Sequence, residues 1–394
     1  MSTAKKIVLV GNYLPDRQES MLRFQSALYD GLQVRGVPVE IWRPTPRFSR
    51  LVRNYRYSGV PKYLGYIDKF VVFPRALRRM KRKQPAGTVF HIADHGNAVY
   101  TREFADRPLV TSCHDLLQIR SALGEFPQNQ ISPSGQKYQR WIFNGLKKGR
   151  CIVCISEKTR ADLLRLTGLP PETAHVVYMG LNYDYHPVPP NDARLLFNQA
   201  LQRQHLSWPS DVGQDGPFLF SISGGQWYKN RSGLLKIFAQ LGKCLPKPHA
   251  YVHVGPPLDA EQLALIESSG LRSHFVHIPT LTNEELRAAY SIAAGLIFPS
   301  WEEGFGWPIA EAQACGCPVF ASNRAPMTEV GGNAARYFDP ADPSGAAEEI
   351  VRGLSAAGEI REAGLENARR WDPKLMLDAY QRIYDTAASR QTVA

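Results

Sequence analysis

Apolar runs of four or five residues recur along the chain, most of them closed by Gly, Pro, Asn or Ser and followed by a stretch of helical period. Lys6-Ile-Val-Leu-Val10 ends in Gly11-Asn12, Met21, Phe24, Leu28 and Leu32 then recur at helical spacing as far as Gly36, and residues 37–42 resume the strand pattern. Continuous rather than alternating apolar runs are what strands buried on both faces of a parallel sheet look like. The same pattern predicts strands at 89–92, 109–113, 151–155 and 174–177, which complete a first α/β domain. Ser156 reads as an N-cap for the helix that follows the third of these. Residues 188–216, with Pro189, Pro190, Pro209 and a short helical piece at 195–204, read as a linker carrying a small insertion. A second α/β set opens at 218–223 and continues through strands at 251–254, 275–278, 296–299 and 318–321, with a capping box at Thr282-Asn-Glu-Glu285. The last helix, after Trp371-Asp-Pro, puts Met376, Tyr380, Ile383 and Tyr384 on one face.

The stretch 296–323 is the most informative. Its order is strand, loop, helix, strand. Pro308 fits a first helical position, where its missing N–H is not needed, so the helix is expected over 308–315 with a stop at Gly316. That arrangement aims the amides of Phe305, Gly306 and Trp307 out of the positive end of a helix, a site suited to phosphate. Glu303 and Glu311, eight positions apart, bracket it. Carboxylates beside phosphate are unfavourable unless they accept from hydroxyls, and a nucleotide sugar presents both groups. The turn Gly224-Gly225-Gln-Trp-Tyr-Lys229-Asn230, after the first strand of the same set, is a second phosphate-friendly place.

Glu303-Gly-Phe-Gly-Trp-Pro-Ile-Ala-Glu311, followed by Ala314-Cys-Gly-Cys-Pro-Val319 and Glu329-Val-Gly, resembles the E-x7-E signature of the retaining glycosyltransferases of family four. The resemblance implies two Rossmann-like domains facing across a cleft, the GT-B architecture. Residues 1–187 would form the acceptor domain and 217–370 the donor domain, with 371–394 returning to the first. It implies transfer of a hexosyl group from a nucleotide sugar to a glycan or lipid-linked acceptor, as in cell-envelope or polysaccharide biosynthesis. Glu303 and His114 would lie by the transferred sugar. His114 stands in Thr111-Ser-Cys-His114-Asp115, which resembles the family's histidine motif. Lys229, Gly225 and the amides of Phe305, Gly306 and Trp307 would hold the diphosphate, and Glu311 the ribose. The loop from Asn12 to Ser20 would be the first domain's contact, although Gln18-Glu19-Ser20-Met21 stands where many relatives carry Gly-Gly. No cofactor and no metal are expected, since Lys229 and backbone amides can replace a divalent cation. Two other readings stay open: a sugar-nucleotide epimerase or phosphorylase of the same fold, of which an epimerase would need no acceptor, and a nucleic-acid-binding protein using the tract 43–83.

Composition narrows the setting. The 44% apolar and 21% charged residues of this 394-residue chain are ordinary for a globular protein of more than one domain. No run of eighteen apolar residues occurs, and the apolar run after Met1 is too short for a signal-peptide core, so a cytoplasmic location is expected. Six cysteines suggest thiols, and Cys151-Ile-Val-Cys154 lies in a strand-like run that suits neither redox nor zinc chemistry. The net charge of +11 is concentrated: residues 43–83 hold thirteen Lys or Arg against one acid, Asp68, which leaves the remainder near neutral. There, Arg43, Arg47, Arg50, Arg53 and Arg56 alternate with Phe48, Tyr55 and Tyr57, and six cations crowd into 75–83. Such a tract suits either nucleic acid or an anionic membrane surface, and the resemblance favours the membrane, so a peripheral association through Arg43 to Lys83 is expected and nucleic acid is not.

Overall fold

The computed structural model describes residues 6–53 and 59–390. The chain divides into two compact units, one made of Met1–Asn182 with Pro373–Ala394 and the other of Tyr183–Asp372. Each is a six-stranded, all-parallel sheet with helices packed against it.

The first sheet contains β1 (Lys6–Val10), β2 (Val39–Trp42), β3 (Thr88–Ile92), β4 (Leu109–Cys113), β5 (Ile152–Cys154) and β6 (Ala174–Val176), in the order β2-β1-β3-β4-β5-β6. The strand order therefore reverses between β1 and β3, where a doubly wound sheet leaves a crevice at its carboxyl end. Val8, Phe90, Ile92 and Cys154 are fully buried, and the Phe90 and Phe104 rings stack at 4.6 Å. The helix Glu19–Val34 buries Phe24, Leu28 and Leu32, as its spacing predicts. The helix Pro373–Arg390 lies against β3 and β4. It is fixed there by a buried polar chain: Tyr384 Oη and His91 Nδ1 at 2.8 Å, His91 Nε2 and Ser112 Oγ at 2.8 Å, Ser112 Oγ and Tyr380 Oη at 2.8 Å. Without these bonds His91, buried on β3, would be an unpaired polar group in an apolar layer.

The second sheet contains β7 (Phe218–Ile222), β8 (Ala250–Val254), β9 (Phe275–Ile278), β10 (Gly295–Phe298), β11 (Val319–Ser322) and β12 (Arg336–Phe338), in the order β12-β11-β10-β7-β8-β9, which reverses between β7 and β10. Leu219, Phe238, Ile297 and Phe320 are wholly inside its core. The expected linker at 188–216 is corrected by the structure. Its helix, Pro190–Arg203, is part of the second unit, burying Ala193, Phe197, Ala200 and Leu201, with the Phe197 ring stacked on Phe218 at 5.3 Å and Trp208 tilted against Phe218 at 5.4 Å. Two of the prolines that suggested a linker, Pro189 and Pro190, occupy the helix entry, where they cost no hydrogen bond.

The basic tract is also less free than its sequence suggests. Residues 59–81 are helical throughout, with a wider π-turn at Asp68–Val72. Asp68, the tract's single acid, is buried and accepts from the backbone N–H groups of Arg47, Phe48 and Ser49 at 3.1, 2.9 and 3.1 Å and from Tyr13 Oη at 2.8 Å. Lys69 is buried against Asp16 at 2.7 Å, Arg78 pairs with Glu103, Lys81 with Asp106, and Arg43 donates to Gln25. Tyr55, Arg56 and Tyr57 lie outside the described residues. The six cysteines are free thiols, and no helix among the described residues is long and apolar enough to cross a membrane.

Candidate functional site

The loop after β10 and the loop after β7 meet at the reversal of the second sheet. Asn230, in the left-handed region at φ 52°, caps the helix Arg231–Cys244 by accepting from Gly233 N–H at 3.2 Å and donates to Pro299 O at 3.0 Å. Trp301 N–H adds a bond to Tyr228 O at 2.7 Å. Held between these ties, Lys229 Nζ sits 2.7 and 2.9 Å from the two carboxylate oxygens of Glu303, and Ser300 Oγ donates to the nearer of them at 2.8 Å. Glu303 and Ser300 are buried. Two residues expected to serve phosphate and sugar separately are thus in one ion pair, and a carboxylate this withdrawn from water depends on that pairing.

The helix after β10 starts at Trp307, one residue before the expected Pro308, because Gly306 at φ 105° makes the entry in a conformation that side chains disfavour. Glu311 consequently lies in the second turn rather than the first, buried, and accepts from Tyr290 Oη at 3.2 Å. Burial beside Glu311 drives the Tyr290 phenol well above its ordinary range, so it remains a donor. The Phe305 side chain is core, edge-on to Trp371 at 5.2 Å, while its amide and that of Gly306 lead into the helix. Gly225 is exposed in the β7 loop. Two polar atoms near these loops, Trp307 Nε1 and Ser223 Oγ, are shielded from solvent with no partner among the described residues. Arg231, the other cation of the β7 turn, is turned inward: it donates to His253 Nε2 at 3.3 Å and to the carbonyls of Pro256 and Pro257.

In the first unit, His114 follows β4 and is buried, its ring edge-on to Phe24 at 4.7 Å. Its Nε2 lies 2.9 Å from Ala93 O, which can only accept, so the ring carries its proton on Nε2 and offers Nδ1 as an acceptor. Burial lowers its pKa, against the opposing pull of Asp94, so the ring is neutral. Asn12 is committed to structure: its amide donates to Gln18 and, at 2.5 Å, to Asp94, and its carbonyl accepts from Asn97 at 3.0 Å. Ser20 stands exposed near the start of the helix Glu19–Val34. Asp94 and His95, at the end of β3, escape a reading of the sequence, as do Ser300 and Tyr290. Burial pushes the Asp94 carboxyl up, but His95, His114 and the donors from Asn12 and Gly96 outweigh it and hold the group below the usual carboxylate range. Among the described residues no group of three or more His, Cys, Asp or Glu is arranged to hold a metal ion.

Comparison with known proteins bears on the family and the fold. A family model described as "Glycosyl transferases group 1" matches residues 202–371, and one described as "Glycosyltransferase Family 4" matches residues 23–185. The chain is 25% identical over 302 residues to O-antigen chain mannosyltransferase B of Escherichia coli, covering 75% of each protein. It is 29% identical over 229 residues to the D-inositol 3-phosphate glycosyltransferase of Xylanimonas cellulosilytica, covering 55% of this chain and 50% of that protein. Of the E. coli serotype-specific mannosyltransferase WbdA it spans 30%, at 25% identity. Among solved structures, a glycosyltransferase from Rickettsia africae aligns with a TM-score of 0.68 at 18% identity over 97% of this chain and 98% of that one. Anabaena HepE in complex with UDP and glucose aligns with 0.67 at 18% over 96% and 98%. These last two establish the two-domain GT-B α/β fold.

Proposed function

Starting from a GT-B glycosyltransferase related to the family-four enzymes and acting on a nucleotide-sugar donor, we propose a retaining hexosyltransferase whose acceptor is a glycan or a lipid-linked glycan of the cell envelope. The observation that carries this reading is the Lys229–Glu303 pair at the strand-order reversal of the second sheet, eight residues ahead of Glu311. In this reading the incoming diphosphate takes over Lys229, and the amides of Phe305, Gly306 and Trp307 share the charge that grows on the leaving group. Glu303, released from the lysine but still held by Ser300, then faces the sugar as oxocarbenium character develops. Glu311 is assigned the ribose hydroxyls and His114 Nδ1 a sugar hydroxyl, whose proton it would accept in a hydrogen bond. That a relative matched over 75% of both proteins is named a mannosyltransferase makes mannose the first sugar to test. The test is a panel of nucleotide sugars, each incubated with and without octyl glycoside acceptors. Glu303→Gln should lower turnover about a hundredfold while nucleoside diphosphate affinity changes little. Consumption of the donor at the wild-type rate by that variant would overturn the assignment, and sugar epimerised without acceptor would favour the epimerase reading.

The place of action we infer is the cytoplasmic face of an anionic membrane. Along the helical segment 59–81 and just beyond it, Val60, Tyr63 and Val71 are 68, 58 and 45% exposed, and the exposed cations Arg75, Arg79 and Arg82 continue the same spacing. An apolar stripe that turns basic suits rings and aliphatic groups at headgroup depth beside lipid phosphates. Flotation with anionic but not neutral liposomes is expected, lost in salt or when Arg75, Arg79 and Arg82 become Gln. Arg78→Gln should do less, since Arg78 is occupied by Glu103. Equal flotation on both liposome types would remove the membrane from the reading.

A further inference from the structure

The first unit has its own strand-order reversal, between β1 and β3, and a polar cluster built on it of which only His114 has been given a role. We infer that His95 is a ligand contact there, donating from Nε2–H to a hydroxyl oxygen of a sugar, with Asp94 as its positioning residue. The inference rests on the glycosyltransferase reading above and names a residue that this reading does not use.

The tautomer follows from a backbone contact. His114 N–H donates to His95 Nδ1 at 3.3 Å, so Nδ1 holds the lone pair and the proton of the neutral ring is on Nε2. No acceptor for that Nε2–H occurs among the described residues, and the His95 side chain is 14% exposed, enough for one ring edge to meet a ligand. Its neighbours are spent internally. Asp94 accepts from Asn12 at 2.5 Å and from Gly96 N–H at 2.8 Å, and the second of these caps the helical turn that begins with His95. Asn97 is tied to Asn12. The backbone of His95 is therefore fixed from both sides.

The chemistry of the ligand is limited by Asp94, whose Oδ1 lies 3.5 Å from His95 Nδ1, the ring nitrogen opposite the donor. A buried carboxylate that close to the ring disfavours phosphate or carboxylate at its other edge, so the donor suits a neutral oxygen. A sugar hydroxyl fits, because it also has a proton to give, and His114 offers an acceptor in the same unit. That hydroxyl belongs either to the transferred sugar or to the acceptor glycan.

Three substitutions separate the donor from the bulk of the ring: His95→Gln keeps an N–H near Nε2, His95→Asn keeps one near Nδ1 only, and His95→Ala keeps neither. With GDP-mannose, UDP-glucose and their nucleoside diphosphates as probes and octyl mannoside or octyl glucoside as acceptor, His95→Ala and His95→Asn should lose about tenfold in kcat/KM. His95→Gln should stay within about threefold of wild type, with all melting temperatures alike. Weaker binding of the nucleotide sugar but not of its diphosphate places the hydroxyl on the transferred sugar. A raised KM for the octyl glycoside alone places it on the acceptor. Equal activity of the three variants, whether intact or impaired, overturns the inference and leaves the proposed function standing. A wild-type protein that binds and transfers from none of the donors overturns both.

Discussion

In the second unit the polar residues at the strand-order reversal come almost entirely from two loops, with Lys229 from one and Ser300, Glu303 and the helix amides from the other. In the first unit the corresponding cluster takes Asn12 from the end of β1, Asp94, His95 and Asn97 from the end of β3, and His114 from the end of β4. The second arrangement pairs a cation with an anion and can surrender the pair to a ligand. The first is a closed network around one buried carboxylate, with its histidines at the edge. Under the proposed function, the exchangeable pair takes the charged donor and the closed network a neutral, hydroxyl-rich ligand.

The largest effect should come from opening the exchangeable pair. Lys229→Ala leaves Glu303 buried and uncompensated, a change that costs about 3–5 kcal/mol of stability and also weakens nucleoside diphosphate binding. Adding Glu303→Gln should restore most of the stability, read by urea unfolding, and none of the nucleotide affinity, read by calorimetry. Recovery of both would reduce the pair to a structural one.

A second test treats the two units alike. Burial holds His91 in the first and His253 in the second at pKa values of about 3, His91 among Tyr384, Ser112 and His114, His253 beside Arg231 and His277. The unfolded chain protonates these rings below about 6.5 and the folded one does not. Stability should therefore be fully present above pH 6.5 and fall as the pH drops from 6.5 towards 3. In His91→Gln the slope of unfolding free energy against pH should flatten, and an unchanged slope would mean that His91 is not buried neutral.

The smallest effect expected is that of Asp94→Asn, which exchanges an acceptor for a donor opposite Asn12 and should cost about 1–3 kcal/mol of stability. Nucleoside diphosphate affinity, which the proposed function assigns to the second unit, should not move. A parallel loss of affinity would show that the two clusters are not independent.

How much of this was legible depended on contiguity. The β10 loop and helix, with Glu303 and Glu311 in one run of nine residues, could be placed from the order strand, loop, helix, and Pro308 located the helix entry to within a residue. Asn12 was found as a strand-end residue, but its role in an interior network could not be, because its partners lie 82 and 85 positions away. Asp94-His95 carried only the weak signal of two polar residues after an apolar strand. Residues 188–216 misled because proline marks both linkers and helix entries, and only the packing of Phe197 on Phe218 decides which. The run of cations at 75–83 overstated the free charge for a similar reason: the acids that occupy Arg78 and Lys81, Glu103 and Asp106, come some 25 residues later.

The helix Pro373–Arg390 lies against β3 and β4, pinned through Tyr380 and Tyr384. Seen along the time axis of synthesis, it makes the units unequal. The second unit is one uninterrupted stretch of chain and has all its residues once Asp372 has been made. The first begins earlier yet ends later, since His91 waits for a hydroxyl 293 residues downstream. On the ribosome the first sheet thus emerges with one face open, and it is the younger, contiguous unit that can be finished first.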